Sequence, residues 1–369
     1  MKLDLKLQPL ESWIKKTSEP LLISGPCSAE TEDQLLATAH LLAKTGKVSV
    51  LRAGIWKPRT RPGEFEGIGS IGLQWLARAK QETGLPTAVE VANAKHVEEA
   101  LAAGVDILWV GARSTVNPFT VQEIADALKG VDIPVMVKNP VNPDLQLWVG
   151  ALERINNAGI TKLAAIHRGF SSFEKTAFRN EPMWELAIQL KTLAPDLPII
   201  NDPSHICGNR ELIQYVSQKA LDLDMQGLMI ESHLDPSVAW TDAKQQLTPA
   251  AVSDLMDILT LRKPEIKDKE FTDKLAELRT TIDKIDDQII QKIAERMQIV
   301  QKIGEYKRDN GVTILQVNRW DQIMHKRSAF ASALKLDLNF TGKLLELIHS
   351  ESIRKQTEIM NDKALVEEK

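Results

Sequence analysis

Cys27 sits in a tight turn, "GPCS", directly after the apolar run "LLIS", and it is one of only two cysteines in 369 residues. A serine or alanine would turn as well there, so a thiol invites a chemical reading. Three other residues suit the same chemistry: His205 in "DPSH", Glu231 in "IESH" and Asp242 a few residues further on. A thiolate, an imidazole and two carboxylates together make a four-ligand divalent metal site of mixed softness. A closed structural zinc site would more often pair Cys and His at short spacing. The competing reading makes Cys27 a buried structural thiol and His205 a hydrogen-bonded loop histidine, and residue chemistry by itself leaves both open. Cys207, two residues past His205, reads as a bystander thiol near the same place. A second group of residues is cationic: Arg52, Lys57, Arg59, Arg113, Lys138 and Arg168. Six cations around one site repel one another unless anions fill it, and the arginine fork matches phosphate and carboxylate. The chain carries a net charge of −4, so this basic character is local. It implies a small substrate with several negative charges, phosphates above all.

These residues need elements that bring them together. From Leu21 to about Ser232 short apolar runs alternate with segments of helical periodicity. The runs start at Leu21, Val48, Pro86, Ile107, Pro134, Leu163, Leu197 and Gly227. Continuous apolar runs suit parallel strands buried on both faces. Eight strand–helix units in a row predict a (β/α)8 barrel, an α/β fold whose chemistry lies at the carboxyl ends of its strands. A doubly wound open sheet competes, but no glycine-rich dinucleotide fingerprint follows the first strand. Each run ends on a polar group: Cys27, Arg52 with Lys57 and Arg59 beyond it, Glu90, Arg113, Lys138, Arg168, His205, and Glu231 followed by Asp242.

Near Leu261 the rhythm changes. Residues 1–261 form the expected barrel domain, and the charged, proline-bearing stretch 262–270 reads as a linker. In the expected helical domain, 271–369, Phe271, Leu275, Leu278, Ile282, Ile285, Ile289, Ile293, Met297, Val300 and Ile303 recur at spacings of three and four. That predicts one very long amphipathic helix ended by Asn310 and Gly311. Shorter helices are expected over about 317–332 and 339–359. The long helix wants a partner chain to bury its stripe. Arg296 and Lys307, eleven residues apart, share a face at about 16 Å; Arg279 lies about 25 Å before Arg296 on another side. Arg279 could therefore meet a ligand held by the other two only from a second chain, with the helices antiparallel in a dimer.

Composition narrows the classes further. With 43% hydrophobic and 26% charged residues the chain reads as an ordinary globular protein. Its charge excludes a nucleic-acid partner. The opening residues lack the apolar core of a signal peptide, and no run is long enough to span a bilayer. Two cysteines do not make a disulfide framework, so a reducing cytoplasm is expected.

The order "GPCS" (25–28), "RAGIWKPRT" (52–60), "GAR" (111–113), "VKN" (137–139), "HRG" (167–169), "DPSH" (202–205) and "IESH" (230–233) resembles the 3-deoxy-D-arabino-heptulosonate-7-phosphate (DAHP) synthases. The resemblance implies that Cys27, His205, Glu231 and Asp242 bind a divalent metal, Mn²⁺ first, with Fe, Co or Zn as alternatives. It implies that Arg52, Lys57, Arg113, Lys138 and Arg168 hold phosphoenolpyruvate, with Lys57 also catalytic, and that Arg59 and Thr60 hold the phosphate of erythrose 4-phosphate. Glu90 and Asp202 take a supporting part. The "KPRT" loop (57–60) favours erythrose 4-phosphate over the longer aldose used by the sister synthase that makes the eight-carbon sugar acid. That sister chemistry stays as an alternative.

The stretch from Leu278 to Lys307 is similar to the all-helical chorismate mutases, over about 269–356. The resemblance implies that Arg279, Arg296, Lys307, Arg319, Ser352 and Gln356 bind chorismate or prephenate. Lys307 and Gln356 would be catalytic, acting by position and charge with no cofactor. Gln316 and Trp320 stand where many relatives carry acids that help recognise the ring hydroxyl, so a non-catalytic sensor or dimerisation domain is the alternative. Joined, the two resemblances imply a bifunctional enzyme of aromatic amino-acid (shikimate pathway) biosynthesis, a homodimer through its helices and possibly a larger homo-oligomer. Feedback on the barrel by prephenate or chorismate bound at the helical domain is expected.

Overall fold

A computed structural model describes residues 2–58, 63–263, 268–315 and 317–361, with the side chains at 317–319, 321 and 324 outside that description. Eight strands close into a parallel barrel in sequence order. They are β1 (Leu21–Gly25), β2 (Val50–Arg52), β3 (Thr87–Val91), β4 (Ile107–Val110), β5 (Val135–Lys138), β6 (Leu163–His167), β7 (Ile199–Asn201) and β8 (Gly227–Glu231). The pairing of Leu21 with Gly227 through Gly25 with Glu231 shuts the barrel. Each strand falls inside one of the eight apolar runs.

The runs are continuous because both strand faces are buried in different cores. Leu21, Ile23, Val50, Ala88, Ile107, Trp109, Met136, Ala164, Ile166, Ile200 and Met229 fill the interior. Leu10 and Ile14, from the segment that precedes β1, pack into the same interior cluster. The alternate residues, among them Leu22, Leu51, Val89, Leu108, Val137, Leu163, Ala165 and Leu228, face the surrounding helices. Those helices are α1 (Glu32–Lys44), α2 (Ile71–Thr83), α3 (Ala94–Ala102), α4 (Ala112–Thr115), α5 (Pro118–Ala127), α6 (Leu145–Asn157), α7 (Trp184–Leu193), α8 (Pro203–Cys207), α9 (Ile213–Asp222) and α10 (Pro249–Ile258). Thr31, Asn93, Asn117, Asp144 and Thr248 cap their first turns, each accepting a backbone N–H. Cys207 is buried among the apolar residues of the outer cluster, and burial pushes its thiol up to about 12.

The chain divides into two compact units, Met1–Pro264 and Glu265–Lys369. Residues 264–267 of the expected linker lie outside the described residues. The second unit holds α11 (Lys269–Asp309), α12 (Val317–Ala333) and α13 (Leu338–Met360). Asp268 caps α11 by accepting the N–H of Phe271, and Gly311, at φ 66°, follows its last turn. Within this chain α11 packs chiefly on α13. A Cβ on Gly304 would lie 3.1 Å from Ile359 Cδ1 and 3.2 Å from Gln356 Cγ, so glycine permits that approach. The earlier stripe residues Leu278, Ile282, Ile285 and Ile289 remain about half exposed. No helix among the described residues is long and apolar enough to cross a membrane.

Candidate active site at the barrel mouth

At the carboxyl end of β1, Gly25 pairs with Glu231 of β8 on one side and passes Arg52 of β2 on the other. A Cβ at Gly25 would lie 2.0 Å from the Arg52 carbonyl oxygen, so only glycine lets the two backbones come this close. Two residues on, Cys27 is fully buried, and its backbone N–H donates to Gln246 Oε1 at 2.9 Å. The thiol lies 3.1 Å from Asp242 Oδ2 and receives Lys57 Nζ at 2.8 Å. Burial and the nearby Glu231 carboxylate push it up to about 12 despite Lys57 and Arg52, so without a metal ion on it the sulfur keeps its proton. Among the described residues, Cys27, Glu231 and Asp242 place one ligand atom each within 4.8 Å of one another.

His205, the fourth expected ligand, stands at the edge of this group. Its Nε2 is 3.7 Å from Glu231 Oε1 and its Nδ1 is 2.8 Å from Asp202 Oδ2. Asp202 caps α8 through the His205 N–H and accepts Lys138 Nζ at 3.0 Å. Burial works against its charge, but His205, Lys138 and Arg52 outweigh burial and hold the carboxyl well below the usual range. Burial also lowers the imidazole of His205, which favours the neutral, ligating form.

The donor set fits a divalent cation. Glu231 Oε1 is buried without a hydrogen bond, with Arg52 Nη1 at 3.4 Å and His205 Nε2 at 3.7 Å facing it, so its lone pairs are open to a cation at closer range. A soft sulfur, an imidazole and two carboxylates suit a transition metal better than Mg²⁺ or Ca²⁺.

The cations sort by depth. Arg52 is buried with Nη1 3.4 Å from Glu231 Oε1, and its guanidinium lies 5.0 Å from the centre of the Trp109 ring. Lys138 lies 5.7 Å from the same ring, so one indole serves two buried cations. Glu90 Oε2 accepts the N–H of that indole at 2.8 Å. Arg168 donates to Asn180 Oδ1 at 2.7 Å. Burial, with Arg179 and Arg113 nearby, lowers its guanidinium to about 10. Arg113 is exposed on α4. Arg59 and Thr60 lie outside the described residues. Sequence reasoning missed Arg179, Asn180, Gln245 and Gln246, which connect these groups. Their only signal was a polar side chain in a loop after a strand end.

In the helical unit, Arg296 donates to Ser352 Oγ at 2.6 Å. Gln356, one turn beyond Ser352 on α13, donates to the Ser352 carbonyl and leaves its buried Oε1 without a partner. Lys307 Nζ donates to the Ile314 carbonyl at 2.5 Å. Trp320 stacks on His349, ring centres 4.1 Å apart. Arg279 is exposed. The side chain of Arg319 and all of Gln316 lie outside the description.

Fold and site together define a (β/α)8-barrel enzyme whose strand ends carry a cation-lined pocket and a metal-capable donor set. Residues 9–267 match the DAHP synthetase I family, and the chain belongs to that family. Residues 278–357 match chorismate mutase type II. The chain is 34% identical over 226 residues to the phospho-2-dehydro-3-deoxyheptonate aldolase of Thermotoga maritima, covering 61% of this chain and 64% of that one. It is 27% identical over 281 residues to a 2-dehydro-3-deoxyphosphooctonate aldolase of Cupriavidus necator, covering 69% and 92%. The crystal structure of the Thermotoga maritima DAHP synthase superposes with a TM-score of 0.58 at 31% identity, over 64% of this chain and 67% of that one.

Proposed function

We propose that the barrel condenses phosphoenolpyruvate with D-erythrose 4-phosphate and water to give DAHP and phosphate, and that the helical unit isomerises chorismate to prephenate. The observation that carries the first part is the meeting of Lys57, Cys27 and Asp242 beside the buried Arg52–Glu231 pair, at the strand ends of a family barrel. Cys27, His205, Glu231 and Asp242 would hold a divalent ion, Mn²⁺ first. When bound, that ion supplies Lewis acidity toward a carbonyl oxygen.

The remaining work belongs to the chain. Arg52, Lys138 and Arg168 are fixed by Glu231, Asp202 and Asn180, so they meet the phosphate and carboxylate of phosphoenolpyruvate without first having to order themselves. Arg113 closes the pocket from the rim. Lys57 reaches into the ligand cluster with a movable ammonium and is the candidate proton donor. Arg59 and Thr60 select the aldose by its phosphate.

In the helical unit Arg296 and Lys307, with Arg319 and Ser352, clamp the dicarboxylate. The Gln356 amide would turn its Nε2 donor, which rests on the Ser352 carbonyl, toward the ether oxygen. Arg279 comes from a second copy, so the mutase acts as a homodimer. Prephenate or chorismate bound there feeds back on the barrel. A reducing cytoplasm suits the free thiol ligand.

The test is phosphoenolpyruvate consumption by the full chain with Mn²⁺, offering erythrose 4-phosphate or arabinose 5-phosphate and titrating prephenate. Turnover with the four-carbon aldose alone, lost with a chelator, is expected. Preference for arabinose 5-phosphate would assign the chemistry of the Cupriavidus relative instead. Chorismate turnover that disappears in Arg296→Ala is expected as well, and its absence in the parent chain would leave the helical unit a sensor.

A further inference from the structure

Each candidate metal-binding carboxylate has one oxygen held by Arg179 or Gln245 and the other turned to Cys27 or Arg52. Asp242 Oδ1 accepts Arg179 Nη1 at 2.7 Å, while Oδ2 faces the Cys27 sulfur at 3.1 Å. Glu231 Oε2 accepts Gln245 Nε2 at 2.7 Å, while Oε1 makes no hydrogen bond and faces Arg52 Nη1 at 3.4 Å and His205 Nε2 at 3.7 Å. The two holding groups are themselves joined, since Arg179 Nη1 also donates to Gln245 Oε1 at 2.9 Å. One guanidinium therefore orients both carboxylates, Asp242 directly and Glu231 through an amide.

Arg179 is well placed for this. Its backbone N–H donates to the Ile206 carbonyl at 3.0 Å, next to His205, and the neighbouring Asn180 donates its side-chain amide to the His205 carbonyl at 2.6 Å. The loop between β6 and α7 is thus fastened to the element that carries the imidazole. Asp242 has φ 50°, a left-handed conformation uncommon outside glycine, which aspartate tolerates better than most residues. Arg179 holds its side chain and the Gln245 N–H holds its carbonyl, at 3.1 Å.

We infer that Arg179 is a positioning residue. With Gln245 as relay, it occupies the outer oxygens of Asp242 and Glu231 so that Oδ2 and Oε1 are presented to the ion. This rests on the metal reading proposed above. Partners that orient metal ligands typically contribute about 10- to 100-fold in metal affinity. A lysine keeps the charge but lacks the planar fork, so it cannot hold Asp242 and Gln245 in the same geometry.

The experiment is Mn²⁺ titration of the full chain, free ion followed by its paramagnetic resonance, with Arg179→Lys, Gln245→Leu and Cys27→Ala in parallel. Co²⁺ absorption of the same proteins reports ligand geometry. Arg179→Lys is expected to weaken Mn²⁺ about tenfold or more and to shift the Co²⁺ bands, with the melting temperature of the metal-free chain unchanged. Gln245→Leu is expected to weaken it several-fold through Glu231 alone. Parent-like Mn²⁺ affinity and Co²⁺ bands in both variants would overturn the positioning role while leaving the metal reading intact. A parent chain whose Mn²⁺ and Co²⁺ binding matches Cys27→Ala would overturn the metal reading, and this inference with it.

Discussion

At the residue scale, burial decides which titratable groups the fold keeps neutral. His167 lies inside the barrel wall, with its Nε2–H donating to the Pro182 carbonyl at 2.6 Å. Burial, and Arg168 beside it, lower the imidazole to about 4. In the unfolded chain it titrates near pH 6.5, so between pH 6.5 and 4 the unfolded state binds the extra proton. The contribution of His167 to stability is therefore full above pH 6.5 and disappears as the pH falls through 4, about 3 kcal/mol in all. Denaturant unfolding at pH 7 and pH 4 should show that loss in the parent chain. His167→Gln, less stable at pH 7, should fall less steeply by about that amount. Equal slopes would show that the imidazole is not held neutral.

At the element scale, helix spacing determines what the residues proposed to bind chorismate can reach. Gly304 lets α11 approach α13 closely enough to bring Arg296 to Ser352. A branched side chain there must separate the helices and displace Gln356. Gly304→Val should lower chorismate turnover about 10- to 100-fold, since displacements near 1 Å carry such costs. Phosphoenolpyruvate consumption without effector should stay at the parent rate. Parent-like mutase kinetics would show that α11 and α13 need not pack this closely. The extent of α11 was readable from its three-and-four spacing, because a 41-residue helix repeats its signal many times. Which stretch of it packs within the chain was not readable, because Leu278 and Val300 carry the same stripe.

At the scale of the whole molecule, that uncovered stretch is the argument for a second copy. Ile282 and Ile289 are 56% and 52% exposed, two turns apart on one helix face. An apolar stripe of this kind calls for a partner surface. Arg279 lies on the same uncovered stretch, about 25 Å from Arg296, so losing the partner should also empty the mutase of one cation. Ile282→Asp combined with Ile289→Asp should lower the mass seen by sedimentation and reduce chorismate turnover about 100-fold. A variant that keeps both the parent mass and its turnover would remove this stripe as the interface.

The barrel, the long helix and the residue types at the strand ends were all legible along the chain. Apolar runs buried on two faces and a 3.6-residue stripe are local patterns, and strand order in such a barrel follows the chain. The tertiary structure alone decided how those strand-end groups are paired: Arg52 with Glu231, Lys138 with Asp202, and Arg179 with Asp242. The partners in these pairs are 179, 64 and 63 residues apart in sequence. Such pairings depend on where loops return in space, and no local spacing encodes that. Arg179 shows the difference most plainly, since in sequence it is one loop cation among many and in the fold it touches the carboxylate beside the only thiol at the mouth that faces Lys57.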